Sequence, residues 1–324
     1  MSAAATAPAE AALEHLTRPI AALLADSAVT EVLINGPEAT WIERDGRLQQ
    51  VPASLAGAEL RAIARLIATL SHSDSLDREC VLEGRWRGWR ATVVLPPVSG
   101  EHVSLALRRH RSGALPLDAW AAAAPPAALA RLRAGLAGQD NILVAGATGS
   151  GKTTLLASML AELGSGERLV CLEDTPELPP LGAHQLCLQT RAGHNLRSLV
   201  RVALRLRPDR LVIGEVRGGE AFDLLQAMAT GHRGCLGTLH ADSPRGALAR
   251  FEQLVLTSGL DWPVAAVREQ IARSVQLLVQ VRRSGAGRAI GAVTGVHGLA
   301  HGDYLLSAGA TIGPIDTGNS AATP

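Results

Sequence analysis

The segment that most constrains the fold of this chain is a glycine-rich turn between an apolar run and a helix-like run. The run NILVAG at residues 141–146 has the composition of a buried strand, and KTTLLASMLAEL at residues 152–163 is typical of a helix. Between them, residues 146–153 fit the pattern G-x-x-x-x-G-K-[ST]. Such glycines let several backbone N–H groups point at phosphate oxygens, and the helix adds its positive N-terminal end. We therefore expect a strand–loop–helix unit that binds the phosphates of a nucleotide.

This motif contains Lys152, the only lysine in a chain of 324 residues. A compact ammonium fits in the loop between two phosphates, whereas a planar guanidinium is bulkier and prefers bidentate geometry. We expect Lys152 to reach the β- and γ-phosphates of ATP and Thr153 to offer its hydroxyl to Mg²⁺. The alternative is a glycine-rich turn that binds no ligand. The residues expected to bind the nucleotide are Gly146, Ala147, Thr148, Gly149, Ser150, Gly151, Lys152, Thr153 and Thr154.

Strand-like and helix-like runs divide the chain into two predicted domains. In the first half, short alternating strands surround a helical run at residues 57–70, with a hairpin turn at Asp45-Gly46. After residue 139, apolar strand-like runs alternate with helices, which predicts a mostly parallel sheet covered on both faces, with further strands at its edge. The predicted order is a flexible leader at 1–10, a small α+β domain at 11–112, a linker and connecting helix at 113–138, an α/β domain at 139–310 and a flexible tail at 311–324.

Composition narrows the classes of function. The net charge is +1 and only 2% of residues are aromatic, so neither a basic surface nor a stacking platform for nucleic acid is indicated. The four cysteines are scattered without a CxxC pair, which fits reduced thiols better than a metal site or a disulfide framework. The N-terminus lacks the features of a signal peptide, and no apolar run has the roughly 18–20 residues of a membrane span. We expect any work at a membrane to be peripheral.

Carboxylates follow two of the predicted strands where these leave the sheet. Glu215 ends the run LVIGE, and Glu173, Asp174 and Glu177 lie at or just after the end of RLVCLE. Ligands of open α/β sheets lie outside the carboxyl ends of the strands. Glu215 is therefore a candidate for orienting or deprotonating water, and the other acids are candidates for holding Mg²⁺ through water or steering the attacking water. The alternatives are a surface glutamate at a strand end and a solvated acidic turn.

A histidine, His240, ends the fourth predicted strand of this half, CLGTLH. A single histidine is more often structural than functional. His240, however, follows the glycine-rich loop and Glu215 in chain order and leaves a strand of the parallel type, which favours a functional role. His232, in ATGHRG, is a second candidate.

Four segments together resemble the motifs of a known family. They are GATGSGKTT, LEDTPEL, LRLRPDRLVIGEVRGGEAFDLLQAMATGH and GTLHADSPRGALARFEQL. In this order they are similar to the P-loop, the acidic Asp box, the Walker B region and the His box of the bacterial type II and type IV secretion traffic ATPases. The resemblance is to the CpaF-like and TrbB-like branch, which serves tight-adherence pili and conjugation.

This resemblance implies a fold, a reaction and an assembly. The fold is a RecA-like P-loop ATPase domain with a smaller N-terminal α+β domain of the PAS-like kind. The reaction is the hydrolysis of ATP with Mg²⁺. The assembly is a homohexameric ring, peripheral at the cytoplasmic face of the inner membrane, that drives an inner-membrane platform protein of a pilus or secretion system. No direct binding of nucleic acid is expected.

The resemblance also implies roles for residues at matching positions. Glu215 is the Walker B glutamate that polarises water. Glu173 and Glu177 belong to the Asp box, and Glu173 is expected to reach Mg²⁺ through water. His240, together with His232, is expected to sense the γ-phosphate.

Arginines complete the implied site. The family places arginines of its N-terminal domain against the γ-phosphate, sometimes across a subunit boundary, and Arg90, Arg108 and Arg109 are the candidates here. The alternative is that they form the solvated face of a sheet. Arg207 and Arg217 flank the Walker B run and are further candidates for the same task.

Two other functional classes stay open on the sequence. One is a RecA-like motor that translocates DNA, which the near-zero net charge and the low aromatic content disfavour. The other is a nucleotide-gated scaffold that does not hydrolyse ATP, which the presence of Glu215 and His240 disfavours.

Overall fold

The fold consists of two compact units, Met1–Ser112 and Gly113–Pro324. A computed structural model describes residues 3–70, 80–109, 113–125, 127–191, 193–284 and 287–307 of them. The predicted tail at residues 311–324 lies outside the described residues.

The first unit contains an antiparallel sheet of six strands. In chain order its elements are α1 (Ala3–Leu16), a 3-10 turn (Arg18–Ile20), α2 (Ala21–Ala25), β1 (Val29–Asn35), β2 (Thr40–Arg44), β3 (Arg47–Val51), α3 (Gly57–Leu70), β4 (Val81–Trp86), β5 (Trp89–Val94) and β6 (Ser104–Arg109). The strands lie in the order β3-β2-β1-β6-β5-β4, and each neighbouring pair is antiparallel. The hairpin predicted at Asp45-Gly46 joins β2 to β3, with positive φ at both turn residues.

One face of this sheet is buried against helices. Ile63 and Ile67 of α3 pack in one core with Val93 of β5 and Leu13 of α1, and all four are at most 1% exposed. The strands alternate buried and partly exposed residues, as a sheet with one solvated face requires. Helix α1 begins at Ala3, where the sequence predicted a flexible leader, because its last turns carry Leu13 into this core.

The second unit contains a larger sheet that is mostly parallel. Its elements are a 3-10 helix (Leu117–Ala123), α4 (Ala128–Ala137), β7 (Ile142–Ala145), α5 (Lys152–Ala161), β8 (Leu169–Glu173), β9 (Gln185–Gln189), α6 (Leu196–Ala203), β10 (Arg210–Ile213), α7 (Glu220–Ala229), β11 (Leu236–Leu239), α8 (Pro244–Leu256), α9 (Val264–Ser274), β12 (Leu277–Ser284), β13 (Gly287–Ala300) and β14 (Asp303–Leu306). The order is β14-β13-β12-β7-β11-β10-β8-β9. The six strands from β12 to β9 are parallel, and β13 and β14 add antiparallel pairs.

Helices cover both faces of the larger sheet. On one face, Leu199 of α6, Leu224 of α7 and Phe251 of α8 share a core with Leu143 of β7. On the other face, Leu156 of α5 packs in a core with α4, the 3-10 helix and alternate residues of the same strands. Strands β7, β10 and β11 are buried on both faces, and apart from Arg210 and Thr238 they contain only apolar residues. The predicted α/β class is confirmed for this unit.

The order of the sheet departs from the prediction at one place. Strand β12 was expected at the edge, but it pairs in parallel with β7 inside the sheet, with Gln280 opposite Ala145. Since β12 continues to Ser284, its last four residues run on beyond the end of β7. No helix in the described part of the chain is both long and apolar enough to cross a bilayer.

Candidate nucleotide site at the carboxyl edge of the sheet

The glycine-rich loop at residues 146–151 connects the end of β7 to the start of α5. Gly149 and Gly151 have φ of 69° and 104°, in the left-handed region that favours glycine. Gly146 lies against the neighbouring strand, so that a Cβ there would be 2.6 Å from the carbonyl oxygen of Val281. The loop therefore curls tightly before the N-terminus of α5, as phosphate binding requires.

Lys152 turns its side chain back onto this loop. The residue is 7% exposed, and its Nζ donates to the carbonyl oxygens of Gly146 (3.0 Å) and Ala147 (3.1 Å). The same Nζ lies 3.3 Å from Nδ1 of His240. These contacts hold a single ammonium at the mouth of the loop.

A chain of polar contacts links Lys152 to the end of β10. Nε2 of His240 lies 2.7 Å from Oε1 of Glu215, and Nη2 of Arg217 donates to Oε2 of Glu215 at 2.6 Å. An ammonium can only donate, so Nδ1 of His240 accepts from Lys152 and the proton of the neutral ring is on Nε2. The predicted residues Lys152, His240, Glu215 and Arg217 therefore form a continuous chain of contacts in that order.

The charges of these groups follow from their surroundings. Burial raises the pKa of Glu215, but the hydrogen bond and charge of Arg217, with His240 and Lys152, leave it below its ordinary value. Burial and the Lys152 charge lower the pKa of His240. The hydrogen bond to Glu215 raises the pKa of Arg217. At neutral pH the arrangement is thus an ionised carboxylate between a guanidinium and a neutral imidazole.

Backbone contacts fix the ends of β10 and β11 beside each other. The hydroxyl of Thr238 donates to the carbonyl of Gly214 at 2.6 Å, and the N–H of Val216 donates to the carbonyl of Thr238 at 2.8 Å. Beyond β10, Oε1 of Glu220 accepts from the N–H groups of Arg217 (2.6 Å) and Gly218 (2.8 Å). These bonds set the positions from which Glu215 and Arg217 project.

The acids after β8 form a second group at this edge. Glu173 is 4% exposed, and its Oε1 accepts from the N–H groups of Glu177 (2.8 Å) and Leu178 (2.9 Å). Its carboxylate thus closes the loop that it begins. Asp174 is half-buried, and burial raises its pKa. Asp174 and Glu177 both lie near enough to Arg217 to raise the pKa of its guanidinium.

Two arginines that the sequence did not single out reach the loop from the β12–β13 hairpin. Nη1 of Arg288 donates to Oγ1 of Thr154 at 2.8 Å, and Nε of Arg283 donates to the carbonyl of Gly149 at 3.2 Å. The run RRSGAGR at residues 282–288 carried no motif, and only the placement of β12 beside β7 brings it to the site.

Two predicted residues lie at the opposite, amino edge of the sheet. His232 precedes β11, whereas His240 follows it, and β11 is four residues or about 13 Å long. Close to His232, the N–H of Gly234 donates to the carbonyl of Gln139, just before β7. Arg207 likewise precedes β10 and is exposed. The structure therefore does not bring His232 or Arg207 to the loop of its own chain.

The predicted arginines of the first unit differ from one another. Arg109 donates to the carbonyl oxygens of Leu24, Asp26 and Val29 at 2.6–2.9 Å and lies over the ring of Trp89. Its guanidinium is thus engaged within its own unit, and its contact with a nucleotide stays a prediction.

Arg90 and Arg108 are opposite each other on β5 and β6. Arg90 is paired with Glu83 at 3.1 Å, and Nε of Arg108 lies 3.5 Å from Glu31. Their contact with a nucleotide stays a prediction.

The residues of the loop fit a nucleotide phosphate. Ser150 is 2% exposed, and its hydroxyl has no hydrogen-bond partner among the described residues. A buried polar atom of this kind beside a curled loop and a buried ammonium suits a phosphate oxygen. Thr153 is half-buried in the first turn of α5, where its hydroxyl can serve Mg²⁺. No group of three His, Cys, Asp or Glu side chains placed to hold a metal occurs within the described ranges.

The pKa of Glu173 gives a test of its burial. Desolvation outweighs the two backbone hydrogen bonds and raises this pKa to about 7. The Glu173 carboxyl loses its proton near pH 4.5 in the unfolded chain and near pH 7 in the folded chain. Between these two values the free energy of unfolding therefore falls as pH rises. Glu173→Gln keeps the acceptor oxygen and removes the titration. We expect its stability relative to wild type to rise by about 3 kcal/mol from pH 4.5 to pH 8 in denaturant unfolding.

The matched control for this measurement is Glu269→Gln, on the exposed face of α9. It should show the same pH dependence as wild type. If the stability of Glu173→Gln changed with pH in parallel with wild type, the claim that burial raises the pKa of the Glu173 carboxyl would be wrong.

Comparisons with known proteins show which family this chain is similar to. The model of the Type II/IV secretion system protein family matches residues 79–286. A putative conjugal transfer protein of Mycobacterium tuberculosis is 39% identical over 283 residues, which cover 82% of this chain and 80% of that protein. Conjugal transfer protein TrbB of Rhizobium radiobacter is 32% identical over 289 residues, with 87% and 88% covered.

Among solved structures, the pilus retraction motor PilT with bound ADP shares the fold. It is 21% identical, the match covers 87% of this chain and 81% of that chain, and the TM-score is 0.63. The family model spans well over half of the chain, and the resemblance carried by the four motifs is confirmed. The chain belongs to the Type II/IV secretion system protein family.

Proposed function

We propose that this chain hydrolyses ATP at the carboxyl edge of its larger sheet and uses the energy to drive a secretion, conjugation or pilus machine. The observation that carries this proposal is the fixed contact of Glu215 with His240 and Arg217, next to Lys152 and the loop. A loop alone explains binding, whereas hydrolysis also needs a base placed beside the phosphates. Glu215 is an ionised carboxylate in that position.

Each residue then has one task. Lys152 leaves the carbonyl oxygens of the loop and binds the β- and γ-phosphates, while the N–H groups of residues 146–154 bind the remaining phosphate oxygens. Glu215 orients the attacking water and accepts its proton. Arg217 keeps Glu215 ionised and oriented. His240, neutral and in contact with both Lys152 and Glu215, connects these two side chains.

Mg²⁺ neutralises phosphate charge when it is bound with ATP. Thr153 would supply a hydroxyl for the ion, and Glu173 and Glu177 would act on it through water, while Glu173 also holds its own loop.

The direct test of hydrolysis is Glu215→Gln. The substitution keeps the size of the side chain and removes the base, so ATP binding should stay within about threefold of wild type while turnover falls by about 10²–10⁴. Binding is measured with a fluorescent ATP analogue and turnover by phosphate release. The matched control is Glu162→Gln, which also removes an arginine-paired carboxylate but lies at the far end of α5.

Two outcomes would contradict this assignment. Wild-type turnover in Glu215→Gln would show that another group activates water. Tight ATP binding without measurable hydrolysis in the wild-type chain would favour a nucleotide-gated scaffold.

The machine that this enzyme serves is proposed from its family. The two relatives above are named for conjugal transfer, and PilT is a pilus motor. We place the chain as a homohexamer, peripheral at the cytoplasmic face of the inner membrane, with an inner-membrane platform protein as its partner and without direct binding of nucleic acid.

The ring is testable in solution. Light scattering in the presence of Mg²⁺ and a non-hydrolysable ATP analogue should give six times the mass of one chain, because nucleotides at subunit boundaries bridge neighbours. A mass that stays at one or two chains at concentrations that saturate the site would contradict the hexamer and leave hydrolysis to be judged by the Glu215 test.

A further inference from the structure

The β12–β13 hairpin reaches over the glycine-rich loop. Strand β12 lies beside β7 and continues past its end, so that the carbonyl of Val281 lies against Gly146. Arg283 follows two residues later and pairs in register with Arg288 of β13. The hairpin therefore places two guanidinium groups next to each other above one loop.

Arg288 makes the closer approach of the two. Its Nη1 donates to Thr154 in the first turn of α5 at 2.8 Å. Its Cδ lies 2.5 Å from the position that a Cβ on Gly151 would occupy. The loop thus has no room for a side chain at residue 151, and the arginine stem covers it. Arg283 contacts the carbonyl of Gly149 on the same loop.

Positive charge at this place favours an anion. The N-terminus of a helix carries a partial positive charge, so cations there are unfavourable on their own account. Here Arg283 and Arg288 join Lys152 around the start of α5. A bound phosphate group makes the positive charges favourable at this place, because it accepts charge-assisted hydrogen bonds from the guanidinium groups and lies at the end of the helix that favours anions.

The contacts of the two arginines also indicate which phosphates of a nucleotide would lie beside them. The backbone of a P-loop cradles the α- and β-phosphates, and its lysine reaches the β- and γ-phosphates. Arg288 and Arg283 contact the loop and the first helical turn. Lys152, by contrast, contacts His240, beside Glu215.

We propose that Arg288, with Arg283 beside it, binds the α- and β-phosphates of the nucleotide and so sets the affinity for ATP and ADP alike. This inference rests on the proposed ATP site. Arg288 is a residue of substrate binding here, and the chemical step belongs to Glu215. Removing the side chain of Arg288 should therefore raise KM far more than it lowers kcat.

The test compares Arg288→Met with Thr154→Val in the full chain. Arg288→Met keeps the stem over Gly151 and removes the charge, whereas Thr154→Val removes the hydroxyl that the arginine contacts and keeps the backbone N–H of residue 154, a predicted phosphate donor. Dissociation constants for ADP and ATP are measured by calorimetry at several salt concentrations, and KM and kcat by phosphate release. Arg273→Met, on the exposed face of α9, is the matched control.

We expect Arg288→Met to weaken ADP and ATP by a similar factor of about ten and to lower the salt dependence of binding. The value of kcat should change by less than about threefold. Thr154→Val should weaken binding by a smaller factor than Arg288→Met. If Arg288→Met does not fold, Arg288→Lys replaces it and should weaken both nucleotides, since an ammonium loses the bidentate geometry.

Three results would overturn the inference. Unchanged binding in a folded Arg288 variant would show that the arginine does not contact the nucleotide. Equal losses in Arg288→Met and Thr154→Val would show that the hydrogen bond between them only shapes the loop. A loss confined to ATP would place the arginine at the γ-phosphate. Failure of the wild-type chain to bind ADP or ATP would instead refute the proposed function itself, and this inference with it.

Discussion

The contact between the imidazole of His240 and the carboxylate of Glu215 depends on the parallel register of β10 and β11. Ile213 lies opposite Gly237, so the two strands leave the sheet side by side. The hydroxyl of Thr238 then ties the strands together at Gly214. Residues that are 25 positions apart in the chain thus meet at one place, and the sheet, which is buried on both faces, keeps them there.

The charges at this edge are balanced through one neutral group. Lys152 is a buried cation and Glu215 is a half-buried anion, and the neutral imidazole of His240 is in contact with both. In the proposed reaction the ammonium moves to a phosphate, and Nδ1 of His240 loses its donor. The proposal therefore couples the position of the nucleotide to that of Glu215 through a single imidazole, with Arg217 holding the carboxylate from its other side.

Much of this site could be predicted from local sequence. A buried strand, a glycine-rich turn and a helix specify the loop, and residues that end apolar strands fall at the carboxyl edge, which is why Glu215 and His240 were found. The same reasoning places His232 and Arg207 at the other edge of the sheet of their own chain, because each precedes its strand.

The remaining features depend on contacts between distant segments. Arg283 and Arg288 reach the loop only because β12 is inserted beside β7, some 130 residues away in the chain, and no local pattern encodes that pairing. Arg109 lies on the same face of its strand as the buried Leu105 and Leu107, and the carbonyl oxygens of a distant turn accept its hydrogen bonds. Such contacts follow from the completed fold and not from the run of residues around them.

The coupling of His240 and Glu215 is the central claim, and a double-mutant cycle in ATP turnover tests it most directly. The rates of wild type, His240→Gln, Glu215→Gln and the double variant are compared at saturating ATP. If the two side chains act as one unit, the double variant is about as slow as the slower single variant, so that the losses are strongly non-additive. Losses that simply multiply would show that the contact seen between the two side chains has no part in the reaction.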